Sequence, residues 1–237
     1  MVENLSTRRA DTGVQIRVNS FIQSVYNWMA IGLALTGGIA FYVAHTPAIR
    51  DIVFGNQMIF FGLIIVELGL VFYLSSRVQK IQASTATGLF VLYAALNGVT
   101  ISFIFLAYTG TSIASTFFVC AGTFVACSIY GMVTKRDLTS MGGFMMMGLI
   151  GIIIASVINL FIRSSAMAMI ISYVGVLVFV GLTAYDTQKL KHMALNQPAD
   201  LEAGVIRKGA IIGALTLYLD FINLFLMMLH ILGGSRE

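Results

Sequence analysis

The sequence predicts an all-α integral membrane protein with seven transmembrane helices, and three observations carry that prediction. Of its 237 residues, 58% are hydrophobic and only 10% charged, whereas a soluble domain carries about 25% charged residues. The apolar residues gather into seven stretches, each near the roughly 20 residues a helix needs to cross the hydrocarbon. The basic residues then fall on alternate connections, the asymmetry that orients a multi-pass protein.

The first twenty residues, MVENLSTRRADTGVQIRVNS, are polar and carry Arg8, Arg9 and Arg17. They read as a solvated cytoplasmic tail (1–20), not a signal peptide, because the apolar stretch after them is long enough to span. The remainder, 21–237, reads as one transmembrane domain with spans at 21–44, 57–75, 84–108, 111–133, 140–162, 166–188 and 208–232. Short connections join them: Thr46-Pro47, Tyr108-Thr109-Gly110 and Lys135-Arg136-Asp137. The longest, 189–207, holds Pro198. Eleven of the fourteen Lys and Arg residues lie on the tail and on the even-numbered connections. The other side has only Arg50, Arg163 and Arg236. That count puts the N-terminus in the cytoplasm and, after seven crossings, the C-terminus outside. It also accounts for the net charge of +4 without a nucleic-acid partner.

Other residues have plain readings. Cys120 and Cys127 are about 10 Å apart along one helix, too far for a disulfide within it, and read as small apolar fillers. Met145, Met146 and Met147 read as gap-filling side chains. Gly209 and Gly213, with Ala210 and Ala214, allow close helix approach at the start of the last span. His45, His192 and His230 sit near span ends without metal-ligand spacing, and Trp28 reads as packing or an interfacial anchor.

The chemistry concentrates in acids inside apolar stretches: Asp186 in GLTAYDTQKLK and Asp220 in LTLYLDFINLF. A carboxylate at the centre of a span costs at least about 2.5–3.5 kcal/mol, so such acids usually mark an ion path, a proton relay or a catalytic centre. Thr216, Asp220 and Asn223 fall at i, i+4 and i+7, a polar stripe on one helix face. Asp220 lies about 18 Å from Lys208, near mid-membrane, while Asp186 lies close to the cytoplasmic end of its span beside Lys189 and Lys191. The two meet only if the last helix begins outside the membrane or water enters from the cytoplasm. Glu67 is a third intramembrane acid, and Asn97 and Asn159 are further oxygen donors. With Thr216 and Asn223, Glu67 and Asn97 are candidates for an ion path. Two carboxylates together in low dielectric cannot both ionise cheaply and titrate as a unit, a natural pH sensor. Carboxylate and amide oxygens also suit calcium, which makes Asp186 and Asp220 candidate ligands, although its six to eight oxygens would include backbone or water. The plainer reading is that each acid is protonated and bonded to a neighbouring helix, with no transport role.

GLTAYDTQKLKH (Gly181 to His192), followed by GALTLYLDFINLFLMMLHILG (Gly213 to Gly233), strongly resembles the Bax inhibitor-1 family, the transmembrane Bax inhibitor motif proteins. The similarity covers nearly the whole chain, including RVQK after the second span. The resemblance implies seven spans with the last surrounded by the other six, and a pH-dependent calcium leak. It further implies that Asp186 and Asp220 form a pH-sensing pair closing the pore from the cytoplasmic side, with Arg77 latching onto the first of them. The short tail resembles a bacterial inner-membrane member.

The expected function is therefore a calcium leak gated by the aspartate pair, with calcium as permeant or bound ion and no other cofactor. Its partners are the lipid bilayer, calcium ions and membrane proteins that the sequence does not identify. A regulatory or scaffolding membrane protein without conduction is the alternative. An intramembrane aspartyl protease is the third reading, since presenilin-like enzymes also carry YD on one span and Asp on the next. Against it, Asp220 follows LTLYL instead of a GxGD motif, and no Pro-Ala-Leu follows, the only prolines being Pro47 and Pro198. No enzymatic activity is expected.

Overall fold

The computed structural model describes residues 2–198 and 200–234, with side chains from Gly13 onward. Every regular element among them is α-helical: α1 (Val2–Ala44), α2 (Pro47–Gly55), α3 (Gln57–Arg77), α4 (Ala83–Ile101), α5 (Ile104–Ala107), α6 (Gly110–Val133), α7 (Thr139–Ile162), α8 (Ser165–Leu195) and α9 (Ala203–Leu232). Seven are long and apolar enough to cross a membrane: α1 from Gly13, α3, α4 with α5, α6, α7, α8 and α9. The chain is an all-α multi-pass membrane protein.

The predicted boundaries differ from the helices in four places. The helix of the first span runs back through the stretch read as a tail, and Val18 within that stretch is buried. The first connection contains α2, started by Pro47 at a position that suits a residue lacking N–H. Asn56 then caps α3 by accepting from the Met58 N–H at 2.9 Å. The third span breaks between α4 and α5, where Ser102 Oγ donates to Val99 O at 2.7 Å. Hydroxyls competing for ladder carbonyls in this way bend helices. The connection read as 189–207 shrinks to 196–202, because QKLKHMALN has no glycine or proline and only Pro198 stops the chain.

The chain divides into two compact units. One takes in the chain up to Phe103 with Leu190–Thr216; the other takes in Ile104–Lys189 and the chain from Leu217. In the first, α1 packs along α4. Thr36 Oγ1 donates to Ala94 O at 2.7 Å, and a Cβ on Gly98 would lie 2.7 Å from Thr36 O, so only glycine admits this approach. The small residues expected to bring neighbours close to α9 do so here: Gly209 faces Phe21, and Gly213 faces Leu190 and Val25. Lys208 Nζ donates to Gln79 O at 3.1 Å, and the Arg207 guanidinium lies 5.7 Å from the Trp28 ring.

In the second unit α7 and α8 run antiparallel through one small residue per contact. Gly142 meets the Tyr185 ring, Gly181 meets Met145, and Gly148 meets Val178. Their short turn is held by Asn159, whose Oδ1 accepts from Ser164 N at 3.0 Å, with Arg163 left-handed at φ 55°. Asn159, read as an intramembrane oxygen donor, is instead a turn-closing residue. Phe221 of α9 packs edge-on against Phe117 and Phe124 of α6. Of the seven spans α9 is the most buried, at 67%, and α7 the least, at 6%. The apolar side chains exposed on α7, such as Phe161 at 83%, are what a lipid-facing helix carries.

Candidate functional site: a buried aspartate pair

Asp186 and Asp220 are brought together in the second unit, where their side chains hydrogen-bond each other. The pairing follows from helix length. α9 begins at Ala203, ahead of Lys208, and α8 runs on past Asp186 to Leu195, so both acids sit well inside their helices. Both are buried, at 7% and 5% exposure. An ionised carboxylate only accepts hydrogen bonds, so a bond between two carboxyl groups requires a proton on one of them. Asp220 Oδ2 has no hydrogen-bond partner. A buried acceptor left open is costly in a stable fold.

The end of α8 is fixed on several sides. Gly131 of α6 lies so close to Ala184 that a Cβ would strike its carbonyl, and Gly142 of α7 likewise lies against the Tyr185 ring. Thr187 Oγ1 donates to Ser128 Oγ at 3.5 Å. Gln188, buried at 5% exposure, accepts from Leu138 N at 2.9 Å and donates to Arg136 O at 2.8 Å. The cation whose charge reaches Asp186 is Lys189, on its own helix.

Thr216, Asn223, Glu67 and Asn97 make hydrogen bonds of their own. On the polar stripe, Thr216 Oγ1 donates to Ile212 O at 3.1 Å and Asn223 Nδ2 to Leu219 O at 2.8 Å, so both donors are satisfied by their own helix. Glu67 belongs to the first unit, where Thr100 Oγ1 donates to its Oε1 at 2.7 Å and Asn97 Nδ2 to its Oε2 at 3.4 Å. Arg77 is exposed in the last turn of α3, and the salt bridge among the described residues is Arg50 to Asp51. Sequence reading missed Thr100, whose signal was its i+3 spacing from Asn97 in the apolar second half of α4. It also missed Gln188, two residues beyond Asp186 in the quoted motif.

Comparison with known proteins bears on this geometry. A family model described as an inhibitor of apoptosis-promoting Bax1 matches residues 18–237. The chain belongs to the Bax inhibitor-1 family. It is 50% identical over 230 residues to the inner membrane protein YbhL of Escherichia coli strain K12, covering 96% of this chain and 98% of that one. A protein of Borreliella burgdorferi is 46% identical over 219 residues, 92% of this chain and 94% of its own. A membrane protein of Streptococcus pyogenes serotype M1 is 38% identical over 229 residues, 94% and 96%. The similarity thus spans the whole membrane domain, with the aspartate pair inside the matched region.

Proposed function

We propose that this member of the Bax inhibitor-1 family is a pH-sensitive calcium leak channel gated by Asp186 and Asp220. The observation that carries this is the buried hydrogen bond between the two acids, with Asp220 Oδ2 unpartnered. The shared proton holds α8 against α9. Changing that protonation replaces attraction by repulsion and loosens the seal between the two helices. One pKa unit corresponds to about 1.4 kcal/mol, enough for a graded leak but not for an all-or-none gate. Calcium is the permeant ion. In passage it would exchange part of its water for the two carboxylates and complete its shell with backbone or water oxygens.

Lys189, on the same helix as Asp186, is the cation that offsets the remaining charge of the pair, and Arg77 keeps the latch role on the cytoplasmic side only as the family resemblance implies it. Glu67 and Asn97 with Thr216 and Asn223 supply polar groups along the path. The membrane is the bacterial inner membrane, as the name of the Escherichia coli relative suggests, with the N-terminus in the cytoplasm.

The test is influx of external calcium into liposomes loaded with a calcium indicator, between about pH 6 and 8. Wild type should show pH-dependent influx, and Asp220→Asn should abolish the pH dependence. Influx with the same pH profile in both proteins would remove the pair from the gate. Folded wild-type protein that conducts no better than empty liposomes would favour a regulatory membrane protein.

A further inference from the structure

We infer that Gln188 is a positioning residue for the aspartate pair, a clamp through which the α6–α7 connection holds α8 in place. The inference rests on the leak reading above and names the part of the fold that resists opening.

Asp186 and Gln188 are two residues apart on α8, so they leave the helix on roughly opposite sides. Asp186 bonds to Asp220 on α9. Gln188 bonds to the α6–α7 connection at two points, accepting from Leu138 N and donating to Arg136 O. Leu138 is the residue that caps the start of α7, and Arg136 follows the end of α6. One buried amide therefore ties the end of α6, the start of α7 and α8 together. The contacts on either side of it have no slack: Gly131 against Ala184 and Gly142 against Tyr185 leave no room for a methyl group. The two bonds fix this end of α8, and Asp186 with it, on the α6–α7 connection.

A glutamine is suited to this task. Its amide carries one acceptor and two donors, matching a free backbone N–H and a free C=O, and it has no charge to perturb Asp186. Glutamate keeps the acceptor for Leu138 N and loses the donor to Arg136 O. Leucine loses both and leaves the buried Leu138 N–H without its partner.

The experiment combines two readouts on full-length protein: amide hydrogen exchange over 134–140 in detergent or nanodiscs, and calcium influx in liposomes. Gln188→Leu should lose exchange protection at 134–140 while α6 and α8 stay protected. It should raise influx at every pH by about fivefold or more, the ratio expected from losing a net hydrogen bond. The pH-dependent component should remain, because the aspartates are intact. Gln188→Glu should fall between Gln188→Leu and wild type in both readouts. Unchanged protection at 134–140 would overturn the clamp. Lost protection with unchanged influx would overturn its positioning role. If wild type itself conducts nothing, the leak reading fails and the positioning role falls with it, while the exchange data still decide whether the clamp exists.

Discussion

Thr100 is the least conspicuous residue in the polar chemistry of the first unit, yet it makes the shortest bond to Glu67. A buried carboxyl group is costly unless hydrogen-bonded, and removing one partner exposes that cost, whereas replacing both partners by apolar groups is often nearly neutral. Thr100→Val should therefore destabilise the protein by about 0.5–2 kcal/mol. The double variant Glu67→Met with Thr100→Val should lose less than the two single variants together. Thermal unfolding in detergent measures both, and strictly additive losses would mean that the 2.7 Å contact carries no coupling. The acids were legible in the sequence because a carboxylate in an apolar run is rare. Their partners were not, because threonine and glutamine occur in spans for many reasons and their targets are set by packing. Thr216 and Asn223 sit on the stripe that the helical period gives, and their donors turn back to their own backbone.

At the scale of elements, close approach decides what a glycine does, and α4 offers both cases. Gly98 sits where a methyl group would meet Thr36 O at 2.7 Å and the Ile39 side chain, while nothing lies within 4 Å of the same position at Gly88. Alanine gains about 1 kcal/mol over glycine in a helix, but forcing atoms into a filled interface costs about 1–3 kcal/mol. Gly88→Ala should thus be neutral or stabilising and Gly98→Ala destabilising, a contrast that thermal unfolding of the two variants resolves. Equal melting temperatures would mean that α1 yields to the added methyl. The seven long helices were legible from apolar run length, since their cores are set by the width of the hydrocarbon. The break at Ser102, the short α2 and the long ends of α8 and α9 were not. They depend on hydroxyl back-bonding, on a proline start and on polar residues that remain helical beyond the apolar core. Those helix ends matter for the site: with α9 beginning at Lys208 and α8 ending beside Asp186, the aspartates would sit at different depths.

For the molecule as a whole, orientation is the property that the basic residues predict and the helix list constrains. With seven crossings, Arg77, Lys80, Lys135, Arg136, Lys189, Lys191, Arg207 and Lys208 on alternate connections predict that those connections face the cytoplasm. The same prediction puts the α7–α8 turn, with Arg163, outside. Translocated and retained segments are distinguished by reporters active on one side only. A reporter requiring export, fused after the last helix, should be active, and one fused in the α8–α9 connection should be silent. Substituting Lys135 and Arg136 with glutamine should leave this pattern intact, because most of the basic residues predicted to face the cytoplasm remain. An inactive reporter at the C-terminus would mean that one of the seven helices does not cross. The helix to examine would then be α4 with α5, because its interruption at Ser102 and Phe103 divides the one span that is not a continuous helix. That result would also move the Gln188 clamp and the Asp186 end of α8 relative to the calcium supply. The same reporter pair therefore fixes from which side the proposed gate is reached.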